Sequence, residues 1–247
     1  MRSRKSFQVR SAKRLTMLAV AVLCGGKGTR IAQVAGDLPK VLIPVAGEPF
    51  LAHQLRWLRD AGAGRVVLLT GYRGDMVRAF AGDGRSFGLR IDYSEDGDSL
   101  RGTGGAVARA LPLLGDAFLT LYGDSLPAAD PAEIAAALGP QDEGVMSVFR
   151  NDDRELPSNV AVAGDRVAAY DKQAAPGTMT HIDYGINVFR AGAFTGVPTD
   201  RPVDLAAIHG AMIRRGTLRA FVVTKRWHEI GSPDGLAETE RFIRTRS

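Results

Sequence analysis

Cysteine is almost absent from this chain of 247 residues. Cys24 is alone, so an intrachain disulfide framework cannot form. The four histidines are scattered, and none has a cysteine partner at the spacing of a zinc cluster, which excludes that class of site. A single cysteine beside glycines is typical of a reducing compartment. We therefore expect a cytoplasmic protein.

Long hydrophobic runs are also missing. The most apolar stretch ends at Cys24 and has about ten residues, whereas a membrane-spanning helix needs about 20. The basic segment before it imitates a secretory signal. However, the stretch continues directly into a glycine-rich loop, which cleavage would destroy. We interpret residues 17–23 as a buried strand and expect no membrane partner.

Acidic residues are missing from residues 1–16, which carry six lysines and arginines. The net charge of +5 belongs to this segment, because the rest of the chain has 26 basic and 27 acidic residues. A nucleic-acid surface needs basic residues clustered on the folded part, so we expect no nucleic-acid partner. We predict a disordered basic tail at residues 1–16, with Met17 as an alternative start, and a single domain at residues 17–247.

The first half of the chain has short apolar runs that alternate with helical patterns. Apolar runs of this length are typical of strands buried on both faces. We predict strands at residues 17–23, 65–70, 89–93 and 118–122, and helices at 49–61, 74–80 and 104–114. This alternation indicates right-handed crossovers and a mostly parallel sheet. The loops after residues 23, 93 and 122 should then meet in one crevice at the carboxyl ends of the strands.

The second half is richer in strands. We predict strands at 145–149, 159–162, 166–170, 184–189 and 218–223, and helices at 205–214 and 233–244. The sequence therefore predicts an α/β fold. Its core is a Rossmann-like, mostly parallel mixed sheet flanked by helices, and a β-rich extension closes over the crevice.

The loop after the first strand has the sequence Leu23-Cys-Gly-Gly-Lys-Gly-Thr-Arg30. Glycines allow the backbone to approach an anion and to turn its N–H groups toward it. Lys27 and Arg30 add the positive charge that a triphosphate requires. The loop does not have the Walker spacing. Ile31 stands where the third glycine of a dinucleotide-binding loop belongs, which argues against an NAD-dependent oxidoreductase.

This loop, together with Leu38-Pro-Lys40 and the segment that runs to Phe50, resembles the signature of sugar-1-phosphate nucleotidyltransferases. The resemblance covers nearly the whole chain, with Cys24 in place of the usual alanine. It implies the nucleotide-diphospho-sugar transferase fold. Residues 17–125 would be the nucleotide-binding part, and residues 126–247 the part that binds the sugar phosphate.

The resemblance assigns nucleotide binding to the first loop and to a second glycine-rich segment. The implied residues are Leu23, Cys24, Gly25, Gly26, Lys27, Gly28, Thr29, Gly102, Thr103 and Gly104, with Glu95 at the base edge. Glycines permit close approach to a flat base, and the helix that follows can direct its N-terminus at phosphate. For Glu95 and Asp96, a solvated loop explains the residues equally well.

The same resemblance implies two metal ligands and therefore Mg²⁺ as the cofactor. Asp124 follows a glycine at the end of the fourth strand, where a carboxylate can hold Mg²⁺ against phosphate oxygens. Glu229, in Trp227-His-Glu-Ile-Gly-Ser-Pro-Asp234, stands in place of the commoner aspartate.

Two further segments resemble the sugar-phosphate side of the family, Tyr170-Asp-Lys172 and His181-Ile-Asp-Tyr-Gly-Ile-Asn187. The residues implied there are Asp171, Lys172, Asp183, Tyr184, Gly185 and Asn187. Carboxylates and amides suit the recognition of sugar hydroxyls because each makes two hydrogen bonds. For Asp183 and Asn187, hydrogen bonds within the sheet are an equally good explanation.

The implied reaction transfers a nucleoside monophosphate from a nucleoside triphosphate to a sugar 1-phosphate, with Arg30 and Lys40 as catalytic cations. The segments together look most like guanylyltransferases that act on manno-heptose 1-phosphate, which implies GTP as the partner. A mannose-1-phosphate guanylyltransferase, an enzyme that uses another base and a regulatory sugar-nucleotide-binding protein stay open as alternatives. The oligomeric state, including a homo-oligomer, is open as well.

Overall fold

The structure is a computed structural model that describes residues 18–26, 28, 31, 35–97, 99–154 and 156–246. The strands are β1 Ala19–Leu23, β2 Pro44–Val45, β3 Glu48–Pro49, β4 Arg65–Thr70, β5 Arg90–Glu95, β6 Ala117–Tyr122, β7 Ser125–Leu126, β8 Gly144–Arg150, β9 Val160–Ala163, β10 Arg166–Tyr170, β11 His181–Arg190, β12 Leu218–Val223 and β13 His228–Glu229. The α-helices are α1 Phe50–Asp60, α2 Gly74–Ala81, α3 Gly102–Leu114, α4 Pro131–Ala136, α5 Leu205–Arg215 and α6 Pro233–Arg244. The tail predicted at residues 1–16 lies outside the described residues.

Nine of the described strands form one mixed sheet in the order β5-β4-β1-β6-β11-β8-β12-β10-β9. The strands from β5 to β6 are all parallel, as the alternation of strands and helices predicts. Their apolar runs are buried because helices cover both faces of this part of the sheet. The predicted Rossmann-like α/β fold is confirmed.

The second half of the chain continues the same sheet. Strand β11 pairs antiparallel with both β6 and β8, and β12 lies parallel to β8. The pairing of β11 with β8 shifts register between Asp183 and Asn187. Gly185 lies in this irregularity with a φ of +90°, which side chains other than glycine rarely adopt. The antiparallel pairings of the main sheet all involve strands of this second half.

Hydrophobic clusters fix the helices on the two faces of the sheet. On one face, α1 buries Leu55 and Leu58 completely. On the other face, α3 and α5 bury Val107 and Met212. A smaller cluster beneath α6 contains Ile230. This packing holds the loops that follow the strands in fixed relative positions.

Most predicted elements are present with bounds that differ by a few residues. Helix α4 and the short pairings β2–β3 and β7–β13 were not predicted. Strands of two residues have no periodicity that a sequence pattern could reveal. None of the helices in the described ranges is long and apolar enough to cross a membrane.

Candidate active site

A cavity of about 380 Å³ lies where β1, β5 and β6 end. Its lining includes residues 23–26 and 28, Lys40, Asp96, Leu100, Gly102, Thr103 and residues 122–124. The crossover topology therefore brings the three loops predicted from the sequence into one crevice.

Gly123 allows the turn after β6 to approach β1 closely. Its N–H donates to the carbonyl oxygen of Leu23 at 3.2 Å. A side chain at Gly123 would overlap that oxygen and would lie 2.8 Å from Cγ1 of Val41. Because the turn has no space for a side chain here, the position of Asp124 depends on the glycine before it.

Lys40 and Asp124 form an ion pair at the cavity. Nζ of Lys40 lies 2.6 Å from Oδ2 of Asp124, and the side chains are 13% and 29% exposed. Lys40 begins the short 3-10 helix Lys40–Leu42, whereas Asp124 lies in the turn between β6 and β7. The structure thus joins a predicted catalytic cation to a predicted metal ligand.

Glu229 comes close to this pair because β7 and β13 pair antiparallel, with Glu229 opposite the residue that follows Asp124. A methyl group built on Gly231 would lie 2.5 Å from Oε2 of Glu229 and 3.1 Å from Nζ of Lys40. The same methyl group would lie 3.5 Å from Oδ2 of Asp124. In this structure Glu229 accepts hydrogen bonds from the N–H of Gly231 and, at 2.6 Å, from the hydroxyl of Ser232.

The donor set fits Mg²⁺. Mg²⁺ is commonly held by one or two carboxylates together with substrate phosphates. Asp124 and Glu229 supply that number of carboxylates beside a cavity lined with glycines. In the described part of the chain, no group of three or more His, Cys, Asp or Glu side chains could hold a metal.

The N-terminus of α3 is occupied by another segment of the chain. The N–H groups of Gly104 and Gly105 both donate to the carbonyl oxygen of Val203, at 2.8 and 3.1 Å. A side chain at Gly102, which has a φ of +69°, would lie 2.6 Å from that oxygen. These N–H groups are used within the protein, which corrects the expectation that this helix start directs them at phosphate.

Thr103 and Gly104 also contact the first turn of α5. The hydroxyl of Thr103 accepts from the N–H of Leu205 at 2.8 Å. A side chain at Gly104 would lie 2.7 Å from Cδ1 of Ile208. Gly102 and Thr103 line the cavity, whereas Gly104 packs beneath α5. The nucleotide contacts predicted for these residues stay predictions.

Glu95 and Asp96 point in different directions. Glu95 accepts a hydrogen bond from Arg78 at 2.6 Å on the outer surface, with its side chain 59% exposed. Asp96 is 4% exposed, lines the cavity and accepts from the N–H of Arg101 at 3.1 Å. Burial raises the pKa of Asp96, although the Arg101 N–H opposes this effect. The carboxylate presented to the cavity is therefore that of Asp96, not that of Glu95.

Asp183 accepts hydrogen bonds from two tyrosines. The hydroxyl of Tyr122, a residue of the cavity lining, donates to Oδ2 of Asp183 at 2.9 Å, and that of Tyr170 does so at 3.4 Å. Burial raises the pKa of Tyr122, and the charge of Asp183 raises it further. This network connects the cavity with the predicted sugar-phosphate side.

The other predicted residues of β11 are engaged inside the fold. Asn187 is completely buried, and its side-chain oxygen accepts from the N–H of Ser147 at 3.0 Å. Tyr184 is 1% exposed, and its hydroxyl accepts from the N–H of Ala128. Gly185 leaves the space that a side chain would take from Ser125. Sheet hydrogen bonds account for Asn187, and contacts of these residues with a sugar stay predictions.

Lys172 is paired with Asp204, the residue that caps the N-terminus of α5. Nζ of Lys172 lies 2.8 Å from both carboxylate oxygens of Asp204, and both side chains are about half-exposed. Partial burial opposes ionisation of Asp204, but hydrogen bonds from Lys172 and from the N–H of Ala206 outweigh it and lower the pKa of Asp204. Asp171 is exposed and accepts from the N–H of Gln173.

Two residues of the site were not predicted as functional, Asp96 and Gln54. Gln54 is completely buried on α1 and donates to the carbonyl oxygens of Tyr122 and Ser125. A glutamine in an amphipathic helix gives no signal that it faces a turn 68 residues away. The loop sequence around Asp96 gives no signal that this side chain is buried.

Five residues of the first loop line the cavity, namely Leu23, Cys24, Gly25, Gly26 and Gly28, and their binding of a nucleotide stays a prediction. Burial raises the pKa of the Cys24 thiol to about 12, so the thiol is protonated and unreactive at neutral pH. Three further residues predicted for the site lie outside the described residues, namely Lys27, Thr29 and Arg30.

Residues 20–178 match the family described as MobA-like NTP transferase domain. The chain belongs to this family.

Individual relatives are similar to this chain over different lengths. A mannose-1-phosphate guanylyltransferase from Mycobacterium tuberculosis is 31% identical over 86% of this chain. The chain spans 61% of that relative's length. A D-glycero-alpha-D-manno-heptose 1-phosphate guanylyltransferase from Aneurinibacillus thermoaerophilus is 38% identical over 36% of this chain and 38% of its own length. Other relatives are named as uridylyl- and cytidylyltransferases.

Among solved structures, HddC from Yersinia pseudotuberculosis complexed with GMP-PN superposes with a TM-score of 0.79. The match covers 92% of this chain and 100% of HddC, at 22% identity. At this identity the likeness shows the fold, which is that of the nucleotide-diphospho-sugar transferases.

Proposed function

We propose that this protein is a sugar-1-phosphate nucleotidyltransferase. An oxygen of the sugar 1-phosphate attacks the α-phosphorus of a nucleoside triphosphate in line, and the bond from that phosphorus to the leaving pyrophosphate breaks. The nucleophile is already anionic, so no general base is required. The convergence of Lys40, Asp124 and Glu229 beside a glycine-lined cavity is the observation that carries the proposal.

Charge repulsion between two polyanions is the barrier that the site has to lower. A pair of unit charges 4 Å apart is worth about 4 kcal/mol at an effective dielectric of 20, so each cation matters. Lys40, which lines the cavity, would contact the triphosphate, and Lys172 would contact the incoming sugar phosphate. Arg30 and Lys27, by their place in the sequence, would add charge at the α-phosphate and at the leaving end. The chain thus contributes positioning and electrostatic stabilisation.

Asp124 and Glu229 would hold Mg²⁺. Bound Mg²⁺ supplies charge neutralisation at phosphate oxygens. The carboxylates themselves are positioned by the chain, Asp124 by the glycine turn after β6 and Glu229 by the pairing of β13 with β7.

We assign GTP as the donor on the basis of Asp96. The base-pairing edge of guanine has two adjacent N–H donors, and an ionised carboxylate can accept both. Uracil and thymine have a single N–H between two carbonyl oxygens, which a carboxylate would repel. A buried carboxylate in the cavity wall therefore favours guanine.

The proposed acceptor is a heptose 1-phosphate or a related higher-carbon sugar 1-phosphate. The sequence segments of the site, together with the similarity to the heptose 1-phosphate guanylyltransferase, support this choice. Mannose 1-phosphate is the second candidate, because the mannose-1-phosphate guanylyltransferase is similar over more of the chain.

A substrate matrix tests these assignments. Pyrophosphate release should be measured with four nucleoside triphosphates against hexose, heptose and octose 1-phosphates. We expect the highest kcat/KM for GTP with a heptose 1-phosphate. A maximum with another base or sugar would overturn that assignment but not the reaction class. Binding of a sugar nucleotide without pyrophosphate release from any pair would instead indicate a regulatory binding protein.

A further inference from the structure

Gln54 lies completely inside the protein and holds the turn that carries Asp124. Its Nε2 donates to the carbonyl oxygen of Tyr122 at 3.0 Å and to that of Ser125 at 2.7 Å. Both partners are acceptors, so the nitrogen of the amide has to face the turn. One side chain therefore brackets the two residues in between, Gly123 and Asp124.

The oxygen of the same side-chain amide lies in an unfavourable environment. Oε1 of Gln54 is buried and has no hydrogen-bond partner among the residues that the structure describes. A buried acceptor without a partner destabilises the fold relative to an apolar side chain of similar size. Packing alone would therefore be served better by leucine or methionine. The presence of an amide is explained by the two bonds of its nitrogen.

Helix α1 also supports the partner of Asp124. At the start of α1, the N–H of Phe50 donates to the carbonyl oxygen of Ile43 at 3.0 Å. The N–H of Ile43 in turn donates to the carbonyl oxygen of Lys40 at 3.1 Å. Both members of the Lys40–Asp124 ion pair are thus positioned from one helix, Asp124 through Gln54.

We propose that Gln54 is a positioning residue that sets the place of Asp124 for metal binding and turnover. This proposal rests on the proposed function of Asp124. Because Gln54 acts on the turn through two backbone carbonyls, we expect it to affect turnover and the response to Mg²⁺. The lining that the first loop and Gly102 provide lies on other segments, so substrate affinity should change little.

Gln54→Met tests the proposal, because methionine has a similar length and no donor. Removing a residue that orients a metal ligand lowers metal affinity or activity by about 10- to 100-fold. We expect kcat to fall by about tenfold or more, with the KM values for both substrates within about twofold of the wild type. The Mg²⁺ concentration for half-maximal rate should rise. Unchanged kcat and unchanged Mg²⁺ dependence would overturn the proposal.

Leu58→Met is the matched control. Leu58 lies on the same helix and is equally buried, but it belongs to the hydrophobic cluster. The substitution perturbs the packing of α1 and leaves the bracket around Asp124 intact. Thermal unfolding should shift for both variants, whereas kcat should fall only for Gln54→Met. An equal loss of kcat in both would show that Gln54 acts only through stability.

Hydrogen exchange of the free protein tests the same idea without any substrate or metal. The amides of Gly123 and Ile230 report on the turn, because they donate to the carbonyl oxygens of Leu23 and Asp124. In Gln54→Met both amides should exchange at least about fivefold faster, whereas in Leu58→Met they should not. Unchanged exchange would overturn the positioning role. Absence of pyrophosphate release by the wild type would contradict the proposed function. The exchange measurement does not depend on that activity, so it would still test whether Gln54 positions the turn.

Discussion

Nζ of Lys40 and Oδ2 of Asp124 lie 2.6 Å apart, although 84 positions separate the residues in the sequence. Both side chains are partly buried, and each compensates the charge of the other. A triphosphate and Mg²⁺ would have to share these two groups when they bind. The pair is therefore the point at which the site should be most sensitive to a change of charge.

Asp124→Asn should lower kcat by about 10²-fold, the loss that follows removal of one preorganised charge contact. The amide retains an acceptor for Lys40 but loses the negative charge that would hold Mg²⁺. Arg30→Ala should reduce turnover by a similar factor. Steady-state pyrophosphate release measures both changes.

Asp130→Asn is a suitable control for Asp124→Asn. Asp130 caps α4 and accepts from the N–H of Ala132 at 2.8 Å, a role that asparagine performs equally well. This variant should keep the wild-type rate. Rates within twofold of the wild type for Asp124→Asn would contradict its assignment.

Asp96→Asn should reduce the preference for GTP over UTP by about 10²-fold in kcat/KM, since the amide replaces one acceptor oxygen of the carboxylate with an N–H donor that would oppose one of the two N–H groups of guanine. Asparagine can still accept from the N–H of Arg101, so the loop should keep its shape. Glu95→Gln, in the neighbouring exposed position, should leave the preference unchanged. The opposite pattern in the two variants would indicate that Glu95, and not Asp96, recognises the base.

Asp204→Asn should lower the KM for the sugar 1-phosphate by about two- to fivefold, the range expected for the loss of one half-exposed ion pair. The substitution releases Lys172 for the incoming phosphate, and asparagine preserves the cap of α5. Asp130→Asn, which changes a helix cap without a lysine partner in the described structure, controls for capping. A KM that stays the same or rises would indicate that Lys172 does not bind the sugar phosphate.

His209 should make the protein less stable in mild acid. Its ring is completely buried between Phe189 and Tyr170, and neither ring nitrogen has a partner within the described residues. Burial lowers the pKa of His209 from 6.5 to about 4. Between these values the unfolded chain binds a proton that the native protein does not, so stability falls as the pH decreases from about 6.5 to about 4.

His209→Leu should remove this pH-dependent loss, which amounts to about 3 kcal/mol at most. Chemical unfolding of both proteins at intervals from pH 8 to pH 4 measures the difference. The stability curves should diverge only below about pH 6.5. Parallel curves over the whole range would show that His209 does not titrate in this way.

The positions of the strands and helices followed closely from the sequence because their apolar runs have a clear period. The predicted strands at 65–70, 166–170 and 218–223 have the same bounds in the structure. The short strands β7 and β13 were not predictable, since two residues carry no pattern. Their pairing is nevertheless what places Glu229 beside Asp124.

The sequence alone determined the alternating α/β order, the glycine-rich loop after the first strand and the likeness to sugar-1-phosphate nucleotidyltransferases. These depend on local periodicity and on residues that are close together in the chain. Only the tertiary structure decided that Asp96 rather than Glu95 faces the cavity, that Val203 occupies the N-terminus of α3, and that Gln54 supports Asp124. Side-chain direction at a strand end and contacts between distant segments are set by packing, and packing has no local signature in the sequence.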